Sequence, residues 1–188
     1  MRQLVLQMGV TVDGYVAGTG AEGDWGLPAE HPDTKAWKVA ALRRVGTHIM
    51  GRVTYEEMAG YWPSQTDEYA AFMNDLPKVV FSTSLSTADW PGSRIASGDL
   101  AEEIAALKQE PGGDIMAHGG AAFVQSLSRL GLIDEYHIVT LPVALGNGLP
   151  LFRDLNKPLP LDLVEAKTFP DGMTIHVYRP GVPAARTA

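Results

Sequence analysis

His48-Ile49-Met50-Gly51-Arg52-Val53-Thr54 changes character halfway along its length. His48-Ile49-Met50 reads as a short buried strand, and Gly51-Arg52 then leads into a helix predicted over 54 to about 58. The same strand-to-helix step recurs on both sides of it. Upstream, Leu4, Leu6, Met8 and Val10 alternate with Val5, Gln7 and Gly9 as a first strand, closed by the Asp13-Gly14 turn signal. A helix opens near His31-Pro32-Asp33, where proline suits the first turn, and runs through Trp37 and Leu42. Downstream, Val79-Val80-Phe81 is a continuous apolar run typical of a strand covered on both faces. Asp99 with Glu102 fits a capping box before the helical face of Leu100, Ile104 and Leu107. Ile115-Met116-Ala117 is another short strand, stopped by Gly119-Gly120, with Phe123, Leu127 and Leu130 at helical spacing after it. The remainder reads as strands over 135–143, 161–169 and 173–178, the last two joined by Pro170-Asp171-Gly172. Strands and helices that alternate and then give way to strands predict an α/β fold. Its central sheet is mostly parallel with helices on both faces, and it ends in an antiparallel hairpin.

Composition narrows the chemistry. A hydrophobic fraction of 45% and a charged fraction of 20% over 188 residues suit one globular domain, expected over 1–180 with a tail from 181 to 188. No apolar run approaches the roughly 18 residues of a membrane span, and the N-terminus lacks the apolar region of a signal peptide, so a cytoplasmic protein is expected. Cysteine is absent, which removes disulfides, thiolate nucleophiles and Cys-ligated zinc. The net charge of −7, with no cluster of Lys and Arg, argues against nucleic acid as a partner. The five histidines are scattered, so no metal site is expected. Carboxylates, hydroxyls, backbone amides and a borrowed organic cofactor remain.

Two strand-to-helix junctions supply places for such a cofactor. Gly51, Arg52 and Thr54 put free amides, a forked cation and a hydroxyl at one helix start, which suits a phosphate. At the other, Gly119-Gly120-Ala121-Ala122 lets the backbone approach a pyrophosphate closely. Each alone reads as a plain turn, but together they match the rule that ligands of open α/β sheets bind beyond the carboxyl ends of the strands. Ser82-Thr83-Ser84 follows a third strand with hydroxyls and no acid, which with Arg52 favours the 2′-phosphate of NADP over NAD.

These residues carry a resemblance. Ile49-Met50-Gly51-Arg52-Val53-Thr54-Tyr55-Glu56 resembles the dihydrofolate reductase signature whose Gly-Arg-x-Thr turn holds the phosphates of NADPH, and Met116-Ala117-His118-Gly119-Gly120 resembles that family's glycine pair. Trp25-Gly26-Leu27-Pro28-Ala29-Glu30 is similar to the segment that carries its substrate carboxylate. Asp13-Gly14-Tyr15-Val16-Ala17, Gly131-Leu132-Ile133-Asp134-Glu135 and the stretch from Pro142 to Phe152 resemble instead the reductase domain of bacterial riboflavin biosynthesis. The resemblance covers 4–178 and implies a dihydrofolate reductase-like three-layer fold. It also implies NADPH held by Gly51, Arg52, Thr54, Ser82, Thr83, Gly119 and Gly120, with Ala121 and Ala122 where the family has a third glycine and a basic residue.

The implied activity is reduction of a pterin- or pyrimidine-type ring, such as dihydrofolate or the 5-amino-6-(5-phosphoribosylamino)uracil of riboflavin biosynthesis. A zinc deaminase domain would need cysteines, so a stand-alone reductase is expected, and the riboflavin-type relatives imply a homodimer. A non-catalytic NADPH-binding or sensor protein on the same fold is the alternative.

Glu30 is the first candidate for the substrate carboxylate, with a solvated first-turn acid as its other reading, and Asp33 is its rival. Asp13 is read as a ligand contact or a turn residue, Trp25 as a lid over the nicotinamide or a plug on the core, and Phe152 as pocket lining or core. His118 is read as a satisfied structural histidine rather than an acid.

Overall fold

The first strand, β1 (Leu4–Thr11), buries residues of both parities, with Leu4, Val5 and Leu6 all inaccessible. The alternation predicted from the sequence therefore does not separate an inside from an outside, because helices cover both faces of this strand. The computed structural model describes residues 1–18 and 29–182. After β1 come β2 (Tyr15–Ala17), α1 (Pro32–Leu42), β3 (Val45–Gly51), α2 (Arg52–Tyr61), α3 (Glu68–Asp75), β4 (Lys78–Phe81) and β5 (Ser93–Ala96). Next are α4 (Leu100–Gln109), β6 (Asp114–Ala117), α5 (Ala121–Arg129), β7 (Glu135–Leu141), β8 (Leu149–Pro150), β9 (Leu161–Thr168) and β10 (Thr174–Pro180).

Eight strands form one sheet in the order β5-β4-β3-β6-β1-β7-β10-β9, and β2 pairs with β8 in a separate two-stranded ribbon. The first six strands in that order are mutually parallel, while β10 runs antiparallel to β7 and β9. The sheet thus ends in the expected antiparallel hairpin, and the fold is α/β. One layer of core sets Leu4, Leu6, Ile49 and Ile115 against Ile104 and Leu107 of α4 and Val124 and Leu127 of α5. The other sets Val5, Met50, Val80 and Met116 against Leu42 of α1, Tyr55 of α2 and Met73 of α3.

Several boundaries differ from the sequence reading. α2 starts directly after Gly51 and runs on through Ala59-Gly60 to Tyr61, longer than predicted. β7 stops at Leu141, and β10 runs past the predicted end at 178 to Pro180, which pairs with Leu161. α3 and β5 carry no assignment from sequence. α3 buries only Ala70 and Met73, and β5 lies at the sheet edge with Arg94 exposed, so neither has a strong apolar pattern. No helix among the described residues is long and apolar enough to cross a membrane.

Leu6 is wholly buried between β6 and β7 and packs toward α5. Leu6→Ala is expected to lower unfolding stability by about 2–5 kcal/mol, read from the urea midpoint at unchanged slope.

Candidate functional site

Among the described residues, three of the five α-helices start under a side-chain cap, from His31, Asp67 and Asp99. The other two, α2 and α5, start on Gly51 and Gly120 with no side-chain cap at all. Their first-turn amides are left for water or a ligand, at the positive end of the helix dipole. Both open toward one cavity.

The two glycine junctions are bonded to each other. Gly51 N–H donates to the Gly119 carbonyl at 2.8 Å, and His118 N–H donates to the Ile49 carbonyl at 3.2 Å. The Gly119-Gly120 peptide is cis, and Gly119 has φ +140°. A Cβ at Gly119 would lie 3.0 Å from Thr54 Oγ1, and one at Gly51 would lie 3.2 Å from Phe123 Cβ. A side chain at either position would be crowded, and the glycines let the ends of β3 and β6 close up against the first turns of both helices.

The cavity has a volume of about 750 Å³, within the range of small-molecule sites. Gly51, Arg52, Val53, Thr54, Glu57 and Met58 line one side, and Gly120, Ala121, Ala122, Phe123 and Ser126 another. Met8, His118 and Phe81 come from the sheet, and Val16, Ala17 and Leu149 from the β2–β8 ribbon. Beside it lies a second cavity of about 350 Å³, lined by Ser82, Thr83, Ser84, Ser97 and Gly98 and sharing Arg52, Phe81, Phe123 and Ser126 with the first. The Phe81 and Phe123 rings stack at 4.9 Å along this shared wall. Arg52 is exposed, and its Nη1 donates to both oxygens of Glu56, at 3.0 and 2.8 Å.

The expected cofactor residues therefore meet at one place. Gly51, Arg52, Thr54, Gly120, Ala121 and Ala122 line the larger cavity, Ser82 and Thr83 the smaller, and Gly119 stands behind Gly120 against Thr54.

The expected substrate residues do not. Neither Glu30 nor Asp33 lines either cavity. Glu30 accepts from Lys38 Nζ on one oxygen and from the Tyr69 hydroxyl on the other, while Asp33 is exposed beside His31. Burial first, then the Glu30 charge, pushes Tyr69 well above the ordinary tyrosine range, so its hydroxyl stays protonated and donates. Asp13 accepts from Thr11 Oγ1 and from the backbone of Leu145 and Gly146, clasping two loops. These bonds, Thr11's first, hold its carboxyl below the usual range. Phe152 packs on Tyr136 at 5.9 Å as part of the core. Trp25 lies outside the described residues.

Glu57 and Met58 are among the wall residues not singled out from sequence. Glu57 is the acid that lines the cavity among the described residues, one turn beyond Thr54, and Met58 follows it. The helical spacing 54, 57, 58 could have placed both. His118, read as structural, also reaches the wall, and its ring nitrogen meets His48 Nδ1 at 2.7 Å. Burial holds His48 down at about 4, against the lift from the Phe72 carbonyl and with a further push down from Lys78. Burial and the adjacent His48 hold His118 well below the ordinary histidine value.

A mostly parallel sheet with a terminal antiparallel hairpin and two glycine junctions at its carboxyl edge defines a dihydrofolate reductase-like α/β protein. Dihydrofolate reductase from Enterococcus faecalis, solved in complex with NADP(H), superimposes with TM-score 0.64 at 15% identity, over 96% of this chain and 97% of that one. The chain belongs to the RibD C-terminal domain family, whose model matches residues 2–175. It is 31% identical over 182 residues to YyaP of Bacillus subtilis (strain 168), a protein of uncharacterized role, covering 94% of each. A structure from Shewanella sp. PV-4, provisionally named as a riboflavin biosynthesis protein, matches with TM-score 0.79 and 24% identity over 97% of this chain and 100% of that one.

Because His48 and His118 take up protons more readily in the unfolded chain, stability should fall as pH drops from about 6.5 toward 4. For His48 alone the loss is on the order of 3 kcal/mol across that window. Urea unfolding of His48→Gln, which keeps a donor for Phe72 and does not titrate, should show a shallower pH slope than the natural protein.

Proposed function

We propose that this protein is an NADPH-dependent reductase acting on a pterin- or pyrimidine-type compound. The observation that carries the reading is the convergence of two uncapped helix starts, α2 and α5, on one cavity walled by glycine backbone. Anionic oxygens of a pyrophosphate suit such amides, which need no basic side chain, so Ala121 and Ala122 are compatible with the role. Thr54 Oγ1, set against Gly119 and Gly120, adds a hydroxyl at the same point. Arg52, Ser82 and Thr83 around the smaller cavity would take a 2′-phosphate, Arg52 turning from Glu56 to do so. Bound there, NADPH supplies a hydride to the carbon of a C=N bond while the nitrogen gains a proton.

Met8, Val16, Met58 and Leu149 give the cavity an apolar wall that keeps water from the reacting atoms, and Glu57 offers the acid on that wall. With Glu30 held by Lys38 and Tyr69, the reading favours pyrimidine compounds of the 5-amino-6-(5-phosphoribosylamino)uracil type over dihydrofolate. The placement of Glu30 also favours a second reading, an NADPH-binding protein without turnover. Loss of reduced-nicotinamide absorbance with each candidate substrate, run beside binding titrations of NADPH and NADH, separates the two. Turnover with a clear NADPH preference supports the enzyme, and tight NADPH binding without turnover supports the binding protein. Failure to bind either nucleotide overturns both.

Arg52→Gln should weaken NADPH binding about tenfold or more and leave NADH within about twofold, since only the former carries the extra phosphate. Gly119→Ala should weaken both nucleotides by at least about tenfold, because its Cβ would press on Thr54 from a backbone conformation that disfavours side chains. Calorimetric titration reads both effects.

A further inference from the structure

His118 sits on the cavity wall with its hydrogen-bonding direction fixed from behind. Its ring lies 4.7 Å from that of His48, and the two nitrogens that meet, His118 Nε2 and His48 Nδ1, are 2.7 Å apart. On its far side, His48 Nε2 is 3.0 Å from the Phe72 carbonyl oxygen. A carbonyl only accepts, so His48 Nε2 carries hydrogen. A neutral imidazole has a single N–H, so His48 Nδ1 is a lone pair, and His118 Nε2 must be the donor between the rings. His48 is wholly inaccessible, and the charged group acting on it is the cation Lys78, so the neutral ring is the stable one. The chain of donors therefore runs from His118 through His48 to Phe72, and it leaves His118 Nδ1 as an acceptor that no described residue engages.

We infer that His118 Nδ1 accepts a hydrogen bond from a ring N–H or amino group of the compound bound in this cavity, making His118 a specificity-determining residue. The inference rests on the proposed use of the cavity for a nitrogen heterocycle. An amino-bearing pyrimidine or pterin satisfies the lone pair. A ring without the donor leaves it desolvated and unpaired, which weakens binding by about tenfold or more. The same tautomer means that His118 reads the ligand as an acceptor and is not the proton source for reduction.

The test is a two-by-two binding experiment on the NADPH-saturated protein. Natural protein and His118→Leu are titrated with 2,4-diaminopyrimidine and with its two monoamino analogues. The natural protein should bind one monoamino analogue about tenfold more weakly than the diamine, and His118→Leu should bind all three within about twofold of one another. Equal discrimination in both proteins overturns the inference, as does failure of the natural protein to bind any of the three. Nitrogen-15 spectra of the imidazoles in the unliganded natural protein give a second reading, independent of any variant. Both rings should be neutral Nε2–H tautomers, and a hydrogen on His118 Nδ1 would overturn the assignment. Failure of NADPH to bind, with pyrimidine discrimination retained in its absence, would remove the reductase reading and leave His118 as proposed.

Discussion

The hydrogen bond from Gly51 N–H to the Gly119 carbonyl is the tie on which the functional end of the molecule depends. It extends the β3–β6 pairing, in which Ile49 stands opposite Ala117, beyond the last strand residues. Two helices then leave from adjacent points, α2 toward the layer shared with α1 and α3, and α5 toward the layer shared with α4. Both helix starts consequently border one cavity. Glycine leaves room for the tie on both partners, since Phe123 stands close over one and Thr54 over the other, and the positive φ of Gly119 disfavours any side chain there.

The same economy governs the caps. Where a helix start has only a structural task, an aspartate or histidine side chain satisfies its amides. At the two starts that meet the cavity the cap position is glycine, and the amides stay available. A conventional cap there would fill the space that an anionic ligand needs. Local helix stability is lower by only about a few tenths of a kcal/mol each, since glycine is itself a tolerated cap residue, and packing of Tyr55, Val124 and Leu127 offsets it.

Several candidate side chains owe their states to neighbours on other elements. Glu30 is engaged by Lys38 one helix face away and by Tyr69 from α3, which directs it to the join between two helices instead of the cavity. The paired histidines show the opposite case. His48 and His118 lie 70 positions apart, and strand pairing brings them together in a buried place where neither gains from charge.

Sequence alone determined the α/β class, because the short apolar runs and the helical repeats between them can be buried in few other ways. It also located Gly51-Arg52-x-Thr54 and Gly119-Gly120, since local backbone demands are written in glycine itself. It could not show that the β1 alternation is hidden on both faces, nor find α3 and β5, whose burial depends on what covers them. Glu30 and Phe152 were legible as an acid near a helix start and an aromatic after a turn. Which partner each would meet was not. The wall positions of Glu57, Met58, Phe81 and His118 were decided only by tertiary structure, because a cavity is made of side chains from separate strands and helices. No local pattern specifies the side that such residues share.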